Sequence, residues 1–251
     1  METVIKLDNV SFLKNDKIIL ENINLDIKRG DYIGVVGANS AGKSTLLRLI
    51  INEKKATEGE IFLFGKRIEE FNKWYKMNYM NQKSHSFRAT FPMTVKEFIS
   101  TRETIPRNLS RKLGLYRHNK NRDIIELEKI LKEVEFLEYK NKVIKNLKIV
   151  QNHNFFLCND IIDYPKVLII DEPVVGISDD EKKEFYYILN KLNLDYNITI
   201  IIASHDISVI SKVAKKIIAI KNHEIREFNN ECVDTKKILD YLYHDNVKEF
   251  V

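Results

Sequence analysis

The chain of 251 residues is long enough for one large domain or two small ones, and its 44% hydrophobic and 31% charged residues are ordinary for a globular protein. The net charge of +5 comes from 41 basic against 36 acidic residues, a mixed surface that gives no reason to expect nucleic acid as a partner, and two cysteines without paired spacing argue against a disulfide framework. No apolar run reaches the ~20 residues that span a bilayer, and the opening "METVIKLDNV" lacks the charged-then-apolar layout of a secretory signal, so the expected location is the cytosol, or a membrane surface reached through a partner.

The first predicted elements are strands. "TVIKLD", "NINLDI" and "EIFLFG" alternate apolar and polar residues at period two. Between the last two, "DYIGVVG" reads as a short buried strand that runs into a glycine turn. From Ser44 the spacing changes, and Leu46, Leu47, Leu49 and Ile50 recur as on a helix. The turn that joins strand to helix carries Gly37-x-x-x-x-Gly42-Lys43-Ser44, the phosphate-cradling pattern in the context it requires. Gly37, Ala38, Asn39, Ser40, Ala41, Gly42, Lys43, Ser44 and Thr45 are the candidate binding residues. Successive backbone N–H groups and the positive end of the helix suit an anion. Lys43 is placed to reach the outer phosphates of a nucleoside triphosphate, and Ser44 to offer its hydroxyl to a magnesium ion that bridges them.

Further on, Gln82 follows "NYM" and is a candidate contact for magnesium and for the attacking water. The middle of the chain, roughly 84–163, is richer in helical periodicity and charge. "RDIIELEKILKEVEFL" puts Ile124, Leu127, Ile130, Leu131 and Val134 on one face. After Tyr164-Pro165 buried strands alternate with helices: "VLIID", a helix over 179–193, "ITIIIAS", a helix near 207–214, "KKIIAI", and one short helix over 234–243. Alternation with near-continuous apolar strands predicts a parallel sheet covered on both faces. In such a sheet the carboxyl ends of the strands face the ligand crevice. Asp171 stands at such an end and suits magnesium, directly or through water. Glu172 follows it and suits the deprotonation of an attacking water. His205 ends a neighbouring strand, where it can reach a γ-phosphate.

These residues, in this order, resemble the ATP-binding cassette ATPases over about 3–228. Gly37 to Ser44 is similar to that family's Walker A motif, Asp171 and Glu172 to its Walker B, Gln82 to its Q-loop glutamine and His205 to its switch histidine. "FPMTVKEFI" and "EFYYILNKLNLDYNITIIIASHDI" further resemble the branch that serves zinc, manganese and iron importers. The resemblance implies an α/β fold with a phosphate-loop, parallel-sheet core over about 1–83 and 164–230, an amino-terminal antiparallel subdomain, a helical arm over about 84–163 that docks on a membrane permease, and a short extension over 231–251. It implies an ATPase that takes ATP and Mg2+, pairs with a second cassette, and works at the cytoplasmic face of a membrane with a permease and a solute-binding protein. Zinc or manganese is the expected cargo. The alternatives are a nucleotide-binding module with little hydrolysis and an ATPase outside transport.

Three features depart from the family pattern. Lys14 stands where an aromatic usually stacks on adenine. Ser178 stands where the loop after Walker B usually ends in Asp. The signature LSGGQ, which in the family caps the nucleotide of the partner cassette, reads "LKIVQ" here, with Lys148, Ile149 and Val150 for Ser, Gly and Gly. Glycine lets backbone approach a phosphate and a β-branched side chain obstructs it. A homodimer would then carry two damaged sites, and a heterodimer one sound site and one poor one.

Overall fold

The computed structural model describes residues 2–81, 93–101, 124–147, 154–155, 157–158, 161, 164–173, 178–229 and 235–243. The chain divides into two compact units, one of Met1–Asn72 with Thr199–Val251 and one of Lys73–Ile198.

The first unit holds an antiparallel sheet of β1 (Thr3–Lys14), β2 (Lys17–Lys28), β4 (Glu58–Leu63) and β5 (Lys66–Arg67), in the order β2-β1-β4-β5. Period-two burial is clearest in β2, where Leu20, Ile23, Leu25 and Ile27 are buried and Glu21, Asn24, Asp26 and Lys28 are exposed. Asn15 and Asp16 make the turn between β1 and β2 with φ of 50° and 59°, the positive angles that a two-residue hairpin loop requires.

The same unit builds a second set of strands around β3 (Tyr32–Gly37), which is buried along its whole length. Parallel neighbours flank it, β8 (Thr199–Ala203) on one side and β9 (Lys216–Lys221) on the other. β10 (Glu224–Asn229) pairs antiparallel with β9 through a second two-residue turn, Asn222-His223, with φ of 51° and 73°. That turn is tied to the antiparallel sheet: the His223 carbonyl accepts from Glu21 N at 2.8 Å. Two helices follow β3 and β8, α1 (Lys43–Ile50) and a short one over Ile207–Val213, in which Ile210 lies against Gly34. The last described helix of the unit, Thr235–Tyr243, buries Ile238 and sets Tyr241 edge-on to Phe228.

In the second unit β6 (Met77–Asn81) runs parallel to β7 (Val167–Asp171), in register from Met77↔Val167 to Asn81↔Asp171. Among the described residues α2 (Val95–Thr101), α3 (Ile124–Glu133) and α4 (Asp179–Tyr196) accompany them, and Asn154, Phe155, Leu157, Cys158 and Ile161 are helical as well. Thr94 and Glu97 start α2 with reciprocal bonds, Thr94 N to Glu97 Oε2 at 2.8 Å and Glu97 N to Thr94 Oγ1 at 3.2 Å. Phe136 and Phe98 both pack on Phe155, at 6.4 and 5.3 Å between ring centroids. Of the apolar face expected over 122–137, Ile130, Leu131 and Val134 are buried, and the side chains of Ile124 and Leu127 lie outside the description. Glu133 of α3 reaches Lys191 of α4 at 3.0 Å, which clasps the two helices together.

Candidate functional site

The first unit assembles the phosphate loop at the end of β3. Ala38, Asn39 and Ser40 are exposed, and Ser40 takes a positive φ of 65° as the loop turns back. Gly42 has φ of 110°, and a Cβ there would stand 2.9 Å from Leu20 Cδ2 and 3.2 Å from the Ile19 carbonyl oxygen. Only glycine combines that backbone with that approach. Helix α1 begins at the next residue with no acidic side chain in its first turn, so no negative charge there competes with an incoming anion.

Lys43 is the buried cation of the loop, 5% exposed. Its ammonium donates to the carbonyl oxygens of Gly37 at 3.0 Å and Ala38 at 3.1 Å. These acceptors compensate the charge that burial would otherwise penalise and hold it across the mouth of the loop. Ser44 and Thr45 follow in the first turn, both half-buried. Val35 pairs with Ala203, so His205 lies two residues past the end of β8 as Gly37 lies two past Val35 on β3. The histidine is exposed, at the same end of adjacent parallel strands as the loop. Asp206 beside it caps the following helix, accepting from Val209 N at 3.3 Å.

The second unit places the acid pair. Asp171 ends β7 and is 8% exposed. Tyr79 of β6 donates its hydroxyl to Asp171 Oδ2 at 3.0 Å. Glu172 follows at φ 50°, a left-handed backbone that turns its side chain off the line of the strand. Asn81 pairs with Asp171 at the end of the register; Gln82, the next residue in sequence, lies outside the described residues, as do Lys148, Ile149 and Val150.

Sequence reasoning did not find Tyr79. The only signal was an aromatic with a polar tip three residues before Gln82. Two of the departures have structural places. Ser178 caps α4 in a full capping box, with its backbone N bonded to Glu181 Oε2 at 2.7 Å, so the helix start is kept without the usual Asp. Lys14 ends β1, exposed, opposite Lys17 at the tip of the first hairpin.

A glycine loop between a buried parallel strand and a helix, with a lysine held inside it, defines a phosphate-loop nucleotide-binding protein. Residues 20–175 match the family model described as ABC transporter. The zinc uptake system ATP-binding protein ZurA of Listeria monocytogenes is 33% identical over 225 residues, 90% of this chain and 85% of that protein. The high-affinity zinc uptake system ATP-binding protein ZnuC of Bacillus subtilis is 26% identical over 88% of this chain and 92% of its own length. Among solved structures, cbiO1 from Clostridium perfringens, part of the ABC transporter complex cbiONQ, superposes with a TM-score of 0.79 at 23% identity, covering 96% of this chain and 94% of that one. A dimeric ATP-binding cassette in a post-hydrolysis state with ADP and Pi gives 0.69 at 24% identity, covering 90% of this chain and 98% of that one. The chain belongs to the ABC transporter family of ATP-binding cassettes. Among the described residues no helix is long and apolar enough to cross a membrane.

Proposed function

We propose that this cassette hydrolyses ATP to drive a transporter that imports a divalent metal ion, zinc before manganese. It docks on a permease at the cytoplasmic face of the membrane, pairs with a second cassette, and serves a system in which a solute-binding protein delivers the ion. The observation that carries the cargo is the 33% identity to a zinc uptake ATP-binding protein over 90% of the chain. The test is reconstitution with its cognate permease. ATP-dependent accumulation of radioactive zinc in vesicles, competed weakly by manganese, is the expected result; transport of neither ion removes the metal reading.

In the proposed mechanism the loop N–H groups of residues 38–44 and the Lys43 ammonium bind and orient the outer phosphates. Lys43 exchanges its two carbonyl acceptors for phosphate oxygens. Glu172 accepts the proton of the attacking water, and His205 holds the γ-phosphate in line. The hard oxygen donors Ser44 and Asp171, with Gln82, suit magnesium, which when bound supplies positive charge to the phosphate oxygens.

A second reading rests on Lys148-Ile149-Val150. Without the serine and glycines of the signature, the cassette is a nucleotide-binding module with little or no hydrolysis, the degenerate partner of another cassette in a transporter. Steady-state ATPase of the chain alone, and mixed with an intact cassette, separates the two.

A further inference from the structure

We propose that Tyr79 is a positioning residue, whose hydroxyl sets the Asp171 carboxylate in the orientation in which it meets a divalent cation. The proposal rests on the reading of Asp171 as a magnesium ligand. Register makes the contact. Tyr79 lies opposite Ile169 in the parallel pair of β6 and β7, so Asp171, two residues beyond Ile169, is on the same face of the pair one step along. The length of a phenol covers that diagonal, and its oxygen stands 3.0 Å from Asp171 Oδ2. Both residues are buried, at 9% and 8% exposure, where a hydrogen bond is stronger than in water.

Pinning matters because the terminal torsion of an aspartate is broad and nearly two-fold. A carboxylate at a strand end, left to itself, samples orientations that present different oxygens to a cation. One donor fixed to Oδ2 selects among them before the ion arrives. The identity of the donor is suited to the task. A lysine or arginine would neutralise the carboxylate that the cation needs. A phenol orients it and leaves its charge in place. Backbone anchoring keeps the hydroxyl from drifting: Tyr79 is fixed in the ladder of β6, and its N–H is bonded to Asn78 Oδ1 at 3.0 Å.

The test is Tyr79→Phe in the full chain, which removes one oxygen and keeps the ring. The readout is the Mg2+ concentration that half-saturates binding of a fluorescent ATP analogue, measured beside binding in EDTA and thermal melting. Loss of a group that orients a metal ligand costs about 10–100-fold in metal affinity. The half-saturating Mg2+ is therefore expected to rise at least about tenfold, while affinity in EDTA stays near that of the parent and the melting temperature falls only by what one buried hydrogen bond contributes. Replacing position 79 by 4-aminophenylalanine, which keeps an N–H donor at the same place, is expected to restore the parent's requirement. A parallel fall in melting temperature and in EDTA affinity, with no separate Mg2+ effect, would assign Tyr79 a packing role only and overturn the proposal. Asp171→Asn separates the two layers. If it raises the Mg2+ requirement and Tyr79→Phe does not, the positioning role fails and the metal role of Asp171 stands. If Asp171→Asn leaves the requirement unchanged, the metal reading itself fails.

Discussion

Glu172 holds its backbone at φ 50°, where an L side chain crowds the following carbonyl. Strain at a group read as the general base has a measurable consequence. Glu172→Gly relieves the crowding, and after the entropy glycine gains in the unfolded chain the variant should be more stable by about 0.5–1 kcal/mol. It should also be inactive, and denaturant titration beside ATPase assay checks both. Glu172→Gln keeps shape and strain, so it should bind ATP like the parent yet stop turnover; unchanged turnover would remove Glu172 from the mechanism. Lys43→Ala should abolish MgATP binding, because no other described side chain of the loop carries a cation. At this scale the glycine loop with Lys43 and Ser44 was legible because its spacing reflects how backbone meets phosphate; Asp171, Glu172 and His205, whose roles are proposed, were legible only as strand-end residues in the order that the family resemblance implies. Tyr79 was not, because its role depends on strand register, which no local pattern records.

Among elements, the clasp between α3 and α4 responds to pH on both sides. Hydrogen bonds from Lys191 and then Tyr196 hold the Glu133 carboxyl below its ordinary 4.5. A depressed carboxylate contributes stability above its unfolded pKa and loses it as pH falls through the folded value. Burial, with the bond to Glu133 second, pushes Tyr196 up from 10.0 to about 12, so its contribution is present below pH 10 and lost as pH rises toward 12. Glu133→Gln should cost about 1–2 kcal/mol near neutrality, a hydrogen-bonded charge only partly screened by solvent. That cost should vanish in acid, which urea midpoints across pH would show. Gly34→Ala should cost at least about 1–3 kcal/mol, since the new Cβ would fall 2.1 Å from Ile210 Cγ2 and the helix over Ile207–Val213 must shift. Most elements were legible: the buried runs at 32–37, 167–171 and 199–203 and the helix from 179 are self-evident in the sequence. β6 and β10 were not. "MNYMN" carries two asparagines, and "EIREFN" has only two apolar residues and a turn of Asn-His where Asn-Gly would be the plain signal. Pairing with β7 and β9 supplies what their own composition lacks.

On the scale of the whole molecule, the proposed replacement of the signature by Lys148, Ile149 and Val150 bears on whether the cassette works alone. Loss of one preorganised donor to a transition-state anion typically costs on the order of 10²–10³ in rate. Restoring Ser, Gly and Gly at 148–150 should raise turnover of the isolated chain at least about tenfold, with a smaller change in KM for ATP. An added cassette with an intact signature should activate this one, and Glu172→Gln here should cancel the activation. Brisk hydrolysis by the unaltered chain would mean that "LKIVQ" is not the signature or that Lys148 replaces its serine, and Lys148→Ala distinguishes those cases. The position of β3 also governs how the protein comes into being. Both of its partners, β8 and β9, come from Thr199–Lys221, while the strand itself ends at Gly37. A ribosome adding about 5–20 residues per second therefore releases the phosphate-loop strand many seconds before anything exists for it to pair with. Nascent chains arrested before residue 199 should fail to retain nucleotide, and chains arrested once residue 221 has cleared the exit tunnel should be the first to acquire it. Until then the unpaired backbone edges and apolar side chains of β3 stay exposed, and the rate of productive refolding in vitro should be set by closure of that long loop more than by any local helix.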